Sequence, residues 1–112
     1  MSRLDPEVER GDVWWANLGG SYRRRPVLVV TSPEILPLLT SVTVVPLTIR
    51  IRSTPYEVLL HADEHDLDAD SAANCLNLLT IPKRDLIRRV TQIDHMKMRL
   101  VSEAVIRALD LH

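Results

Sequence analysis

Apolar and polar positions along most of this chain are grouped in the short runs typical of β-strands. Residues 13–16 follow Gly11 and are aromatic or β-branched for the most part, which favours a strand. Pro26 begins a second, almost wholly apolar run to residue 31, and we expect this proline at the first strand position because it has no N–H to donate. Four more strands are predicted, the third of these the weakest, at residues 41–49, 56–60, 75–81 and 86–93.

The period of the pattern changes to that of a helix after Asp94. Met98, Val101, Val105 and Ala108 fall on one helical face, and the Asp94 carboxylate is placed to cap the first turn. Strands first and one helix last predict a mainly β (α+β) fold, a small SH3-like twisted β-barrel with a C-terminal amphipathic helix. The length of 112 residues predicts a single domain over residues 1–112, with its core at about 10–109.

The charges are nearly balanced, with 14 basic and 15 acidic side chains, which argues against a general nucleic-acid coat protein. Their distribution is uneven. Basic residues cluster at 23–25, 50 and 52, 83–84 and 88–89, whereas acids collect at residues 63–70. The sequence therefore predicts a basic face opposite an acidic loop.

Cys75 is the sole cysteine, which excludes an intramolecular disulfide and predicts a small buried apolar residue. The sequence shows neither a secretion-signal pattern nor an apolar stretch near the roughly 20 residues that span a bilayer. We therefore expect a protein of the bacterial cytoplasm that does not associate with membranes.

Candidate chemistry lies at two predicted strand termini. Arg25 precedes the strand that Pro26 begins, and Thr48 lies at the end of the run 41–49. A guanidinium is always charged and offers a planar fork of donors suited to phosphate oxygens, and a nearby hydroxyl can bind the same group. The alternative is that both are ordinary strand residues, the arginine solvated at a strand end.

Aromatic side chains near the arginines offer surfaces for unpaired bases. Tyr22 follows a glycine-rich loop that we expect to be mobile, and Trp14 or Trp15 can stack on a base if one of them faces outward. The more usual place of a strand tryptophan is the core.

No metal or cofactor site is predicted. Asp66, Asp68 and Asp70 have the alternate spacing of a calcium loop, but Ser71 and Asn77 stand where that loop needs glycine and glutamate. The histidines have no zinc-ligand spacing with the cysteine. A solvated acidic loop is the expectation.

Five short motifs in order resemble the MazF/PemK (Kid) toxin family, over about residues 10–109. They are Gly11-Asp12-Val13-Trp14, Arg25-Pro26 with the apolar run after it, Val45-Pro46-Leu47-Thr48, Tyr56-Glu57-Val58, and Asp70-Ser71 followed by Leu79-Thr80-Ile81. The resemblance implies a homodimeric, metal-independent endoribonuclease of a bacterial toxin–antitoxin system. Such a toxin cuts single-stranded RNA at short sequences, leaves 2′,3′-cyclic phosphate and 5′-hydroxyl ends, and is neutralised by a MazE-type antitoxin.

The same resemblance implies that Arg25 and Thr48 act on the scissile phosphate. RNA-binding residues are expected at Ser21, Tyr22, Arg23, Arg24, Arg50 and Asn77. Two family features are missing, because no carboxylate follows Ser21 and because Leu76, Asn77 and Leu79 replace an acid, a glutamine and an arginine. The general base is therefore unassigned, and the RNA sequence preference does not carry over.

Two other functions remain open at this point. A CcdB-like toxin would inhibit DNA gyrase and leave RNA intact. A catalytically inactive module would bind RNA or an antitoxin without cutting, which the missing carboxylates make plausible.

Overall fold

A computed structural model describes residues 7–20 and 23–111. Its β-strands are β1 (Asp12–Gly19), β2 (Arg23–Val29), β3 (Ser41–Thr48), β4 (Glu57–Leu60), β5 (Ser71–Asn74), β6 (Leu79–Pro82) and β7 (Leu86–Gln92). The α-helices are α1 (Ala62–His65) and α2 (His95–Leu109), and short 3-10 turns occupy Leu36–Leu38 and Lys83–Asp85.

The strands form an antiparallel sheet in the order β4-β5-β3-β2-β1-β7, with β6 paired to β3 beside this path. The predicted mainly β fold with a C-terminal helix is confirmed. Within the described residues, however, the outer strands β4 and β7 do not pair, so the sheet stays open where we expected a closed barrel. Helix α2 packs against the four-residue strand β4 and covers that end of the sheet.

Alternation along the strands divides the apolar side chains between two clusters. One cluster, with Val13, Leu28 and Leu47, packs against Met98 and Val101 of α2. The other collects Trp14, Ala16, Val27, Val29, Val42, Val44, Leu36 and Leu86. The two faces of β1 therefore belong to different environments, which matters for its adjacent tryptophans.

Strand β5 was not predicted, and the predicted strand 75–81 is wrong over its first half. Strand β5 ends at Asn74, and a turn follows in which the Leu76 N–H donates to Asn74 Oδ1 at 3.2 Å and the Asn77 N–H donates to the Asn74 carbonyl at 3.1 Å. This local hydrogen bonding competes with strand pairing until β6 begins at Leu79.

Pro26 is the fourth residue of β2 instead of the first. It is tolerated because β2 pairs with β1 alone at this point, since the ladder to β3 begins at Val27. One side of β2 is therefore an open edge here, where a residue without an N–H breaks no hydrogen bond.

The predictions for Cys75 and the helix cap are confirmed. Cys75 is 1% exposed, and burial raises the pKa of its thiol to about 11. The Lys97 N–H donates to Asp94 Oδ1 at 2.9 Å at the start of α2. Lys83, in contrast, is not part of a basic surface, because it is buried and its Nζ donates to the Leu36 carbonyl at 2.7 Å.

Buried Asp12 joins three segments of the chain. Its carboxylate accepts hydrogen bonds from the Glu9 N–H at 2.9 Å, Trp14 Nε1 at 3.2 Å, Arg89 Nε at 3.0 Å and Gln92 Nε2 at 3.1 Å. A buried carboxylate is tolerated when donors satisfy it in this way. The network fixes Arg89 of β7 against β1.

Candidate functional site

Arg25 is the third residue of β2 and Thr48 is the last residue of β3. The expectation that Arg25 precedes its strand is wrong, because β2 begins at Arg23. Strands β2 and β3 pair Val27 with Pro46 and Leu28 with Val45. This ladder ends at Val27, and Arg25 and Thr48 each lie two residues beyond its last pair, where both line the same two cavities. The two side chains predicted to hold a phosphate are thus brought together.

Two hollows meet at this pair. The basic hollow, about 520 Å³, is lined by Arg25, Pro46, Thr48, Ile49, Arg50, Arg52, Asn74 and Asn77. The tryptophan hollow, about 510 Å³, is lined by Trp15, Arg24, Arg25, Pro26, Leu47, Thr48, Ile49, Asp66, Leu67, Asp68, Ala69, Ser71, Arg88 and Val90. Arg25 and Thr48 line both, so a phosphate held by them has a hollow on each side.

The Thr48 hydroxyl is oriented by the backbone beyond the strand. Its Oγ1 accepts a hydrogen bond from the Arg50 N–H at 3.0 Å. With that acceptor position used, the hydroxyl hydrogen is directed away from the Arg50 backbone and can be donated to an anion. Thr48 is therefore set up as a donor.

The segment after Thr48 is held against β4 by one carboxylate. Glu57 Oε1 accepts from the Arg52 and Ser53 N–H groups, each at 3.0 Å. This fixes the backbone that carries Arg50 and Arg52 into the basic hollow. Asn77 reaches the same hollow from the turn after β5, so the predicted RNA-binding residues Arg50 and Asn77 share a cavity with Arg25 and Thr48.

Trp15 is the aromatic residue that lines the tryptophan hollow. It is partly exposed and lies between its cross-strand partners Pro26 on β2 and Arg88 on β7. Trp14 points to the other face, is 7% exposed and belongs to the core. Of the two tryptophans, Trp15 is the one with a surface available for stacking.

The expected separation of basic face and acidic loop is wrong. Asp66 and Asp68 line the same hollow as Arg24, Arg25 and Arg88. Their loop folds back over the sheet because Leu67 packs on the core cluster and because Asp70 Oδ1 accepts from the Ala62 N–H at 2.8 Å. Long-range packing, which no local pattern encodes, brings the acids to the site.

The other predicted RNA-binding residues lie either at the surface or outside the described residues. Arg23 and Arg24 border a shallow depression beside the β1–β2 turn with Asn17, Gly19 and Gly20. Ser21 and Tyr22 lie outside the described residues. Arg52, Asn74 and Arg88 were not singled out as site residues, although the arginine pairs at 50/52 and 88/89 were a usable signal.

Over residues 7–20 and 23–111, no group of three or more His, Cys, Asp or Glu side chains is arranged to hold a metal ion. No helix in the same ranges is long and apolar enough to span a bilayer.

An open, twisted antiparallel sheet with a C-terminal helix, and with Arg25 and Thr48 on adjacent strands, defines a small mainly β protein. A family model described as PemK-like, MazF-like toxin of type II toxin-antitoxin system matches residues 9–109, and this chain belongs to that family. The predicted family is confirmed.

Named relatives agree with this assignment. Endoribonuclease MazF6 of Mycobacterium tuberculosis is 34% identical over 112 residues, covering 93% of this chain and 98% of the relative. Probable endoribonuclease MazF5 of the same organism is 30% identical, covering 90% and 92%. Both alignments span nearly the whole of each protein.

Solved structures show the same fold. Mycobacterium tuberculosis toxin MazF-mt6 superposes with a TM-score of 0.82 at 34% identity, covering 90% of this chain and 98% of that one. A mycobacterial endoribonuclease in complex with its cognate antitoxin has a TM-score of 0.83 at 25% identity, covering 95% and 98%.

Proposed function

We propose that this chain, an endoribonuclease toxin of the MazF type, cuts single-stranded RNA with its own side chains and without a metal ion. The observation that carries the proposal is that Arg25 and Thr48 line both hollows, so that they form the ridge where the two hollows meet. A nucleotide linkage bound there has its phosphate on the ridge and one nucleoside on each side.

In the proposed reaction the ribose 2′-oxygen attacks phosphorus, the bond to the 5′-oxygen breaks, and a 2′,3′-cyclic phosphate forms. The proton of the 2′-hydroxyl passes to solvent, and the leaving 5′-oxygen takes a proton from solvent. Arg25 stabilises the negative charge that builds up on the phosphorane oxygens, and Thr48 donates a hydrogen bond to one of them. Arg25 acts as a clamp because a guanidinium does not give up its proton.

The hollows give the RNA its path. Arg50 and Arg52 on one side and Arg24 and Arg88 on the other attract the neighbouring phosphates. Asn77 offers a donor and an acceptor to a base edge in the basic hollow. Arg23, beside the β1–β2 turn, extends this path. Ser21 and Tyr22, outside the described residues, stay predicted RNA-binding residues.

We further infer a MazE-type antitoxin and a homodimer. An antitoxin segment rich in acidic and apolar residues complements the basic ridge between the hollows. Exposed apolar side chains on β7 and α2, namely Ile87, Leu100, Ile106 and Leu109, offer a surface for a second copy. The complex of one relative with its cognate antitoxin supports the first inference. We place the toxin in the bacterial cytoplasm, where messenger RNA is available.

The test is cleavage of a long RNA by the purified protein in EDTA, with cut sites mapped and end groups identified. We expect 2′,3′-cyclic phosphate and 5′-hydroxyl ends. Arg25→Ala should lower cleavage about 10²- to 10³-fold, because it removes the main charge stabilisation of the transition state.

Arg99→Ala, at an exposed arginine of α2, is the matched control and should cut like the parent protein. Equal thermal stability of the variants shows that the fold is kept. Undiminished cleavage by Arg25→Ala contradicts the assignment. Intact RNA with stalled DNA gyrase would indicate the CcdB-like function, and Arg25-dependent RNA binding without products would indicate an inactive binding module.

A further inference from the structure

The tryptophan hollow differs from an ordinary RNA-binding groove because it combines an aromatic face with carboxylates. Asp66 and Asp68 are exposed, and both line the cavity that Trp15, Arg25 and Thr48 also line. A carboxylate beside a scissile phosphate repels the RNA backbone. Beside the arginines Arg24, Arg25 and Arg88, the two acids therefore offer acceptor oxygens to a substrate group other than phosphate.

The aromatic face indicates what enters the hollow. Trp15 lies between Pro26 and Arg88 across three strands, so a flat apolar surface is bordered by a cation. An unpaired base stacks on such a surface with a gain of about 1–3 kcal/mol, and stacking by itself is tolerant of sequence. Stacking on Trp15 therefore positions a base without discriminating between the four bases.

The carboxylates of Asp66 and Asp68 can discriminate between the four bases. Carboxylates accept hydrogen bonds and donate none when ionised. Guanine alone among the four bases presents two adjacent N–H donors, N1–H and the N2 amino group, on its Watson–Crick edge, which match the two oxygens of one carboxylate. Cytosine and adenine place a ring acceptor beside the amino group, and uracil places carbonyls on both sides of its N–H, so each brings a lone pair towards the carboxylate.

The backbone of the loop is set by local contacts that do not use these two side chains. Asp66 follows α1 in the left-handed conformation with φ 56°, and the Leu67 N–H donates to the Ala62 carbonyl at 3.1 Å. Asp70 Oδ1 holds the far end of the loop to the Ala62 N–H. Asp66 and Asp68 are thus available to a ligand, whereas Asp70 has a structural task.

We propose that the tryptophan hollow is a guanine-binding subsite next to the scissile phosphate, in which the base stacks on Trp15 and a carboxylate of Asp66 or Asp68 accepts from its N1–H and N2 amino groups. The proposal rests on the proposed RNA cleavage and adds to it the identity of one flanking base.

The first experiment maps cut sites in a library of labelled single-stranded RNAs with a randomised sequence. The parent protein should show guanine enriched at one position flanking the cut. Asp66→Asn, Asp68→Asn or the double variant should lose that enrichment, while preferences at other positions persist. Asp63→Asn, an exposed acid of α1 that does not line the hollow, should behave like the parent.

The second experiment replaces the flanking guanosine with inosine, which keeps N1–H and lacks the N2 amino group. For the parent, kcat/KM should fall about 10-fold, the equivalent of one hydrogen bond to a charged group. For the double aspartate variant the two substrates should be cut equally. Trp15→Ala should lower cleavage of both substrates together, and Trp15→Phe should restore most of it.

Several results would overturn the subsite. They are a parent protein that cuts with no guanine preference beside the cut, a preference that survives the double variant, and an equal rise in cleavage of all RNAs when the acids are neutralised. Loss of all cleavage in a folded double variant would instead assign the acids to proton transfer. Failure of the parent to cut any RNA would count against the proposed function, whereas cutting without the guanine pattern counts against this inference alone.

Discussion

The two hollows share Arg25, Thr48 and Ile49 and differ in their other lining residues. The basic hollow has its charges on connecting segments that are fixed by Glu57 and by the turn after β5. The tryptophan hollow has an aromatic floor from strands and two acids from a loop. The shared residues Arg25 and Thr48, both on strands, suit the proposed chemical step, and the residues that differ suit the recognition of two different nucleosides.

Removal of the Thr48 hydroxyl should affect both hollows at once. Thr48→Val keeps the shape, loses the donor to the phosphate and leaves the Arg50 N–H without its partner. We expect kcat/KM to fall about 10- to 100-fold for every RNA, as for loss of a hydrogen bond to a charged group. Steady-state cleavage of several RNA sequences measures this.

Thr48→Ser is the control because it keeps the hydroxyl and should retain most of the activity. A loss confined to some sequences would show that Thr48 serves one hollow and not the shared phosphate.

Charge removal should separate the hollows. Arg50→Gln in the basic hollow and Arg88→Gln in the tryptophan hollow each remove one phosphate-attracting charge. Each should lower RNA affinity several-fold and reduce the slope of log affinity against log salt by roughly 0.7, the value for one contact to a single strand.

Binding to an uncleavable RNA with 2′-deoxyribose at the cut site measures these slopes. We expect the changes in binding free energy and in salt slope to be additive in the double variant, since the two arginines line different hollows. An unchanged slope for either arginine would remove that hollow from the RNA path.

The smallest effect on RNA cleavage is expected from a change at Cys75, which directly follows strand β5. Strand β5 contributes Ser71 to one hollow and Asn74 to the other, and Cys75 beside it contacts Val101 of α2, with its Sγ 3.9 Å from the carbonyl oxygen. Burial raises the thiol pKa from 9.0 to about 11. Because the unfolded chain loses this proton first, stability is full below pH 9 and falls as pH rises towards 11, by an amount of order 1–2 kcal/mol.

The Cys75→Ala variant should not show this part of the stability loss at alkaline pH, as measured by denaturant titrations between pH 8 and 11. Its base preferences at neutral pH should match those of the parent in both hollows. The same alkaline loss in both proteins would show that the thiol is not its source.

Sequence patterns predict which two residues meet at the candidate site better than they predict its surroundings. Arg25 and Thr48 each stand at the end of an apolar run, and β2 and β3, which contain these runs, are neighbours in the sheet. Their action on a phosphate stays a prediction. The pattern alone does not decide between Trp14 and Trp15 as the outward-facing residue, and alternation along β1 decides it once Trp14 is in the core. Asp66 and Asp68 were assigned to the opposite face, because the course of their loop depends on Leu67 reaching a distant cluster. Strand β5 was missed since its alanines carry no β-strand preference.

The buried Asp12 network has a consequence for neighbouring arginines of β7. Arg89 is held by that carboxylate, while Arg88, one residue earlier, points to the opposite side and lines the tryptophan hollow. Deleting one residue from β7 would exchange their orientations, so that the Asp12 carboxylate would lose Arg89 and the tryptophan hollow would lose Arg88. Two chemically identical side chains in succession are therefore not interchangeable, and an experiment that neutralises both at once would confuse folding with substrate capture.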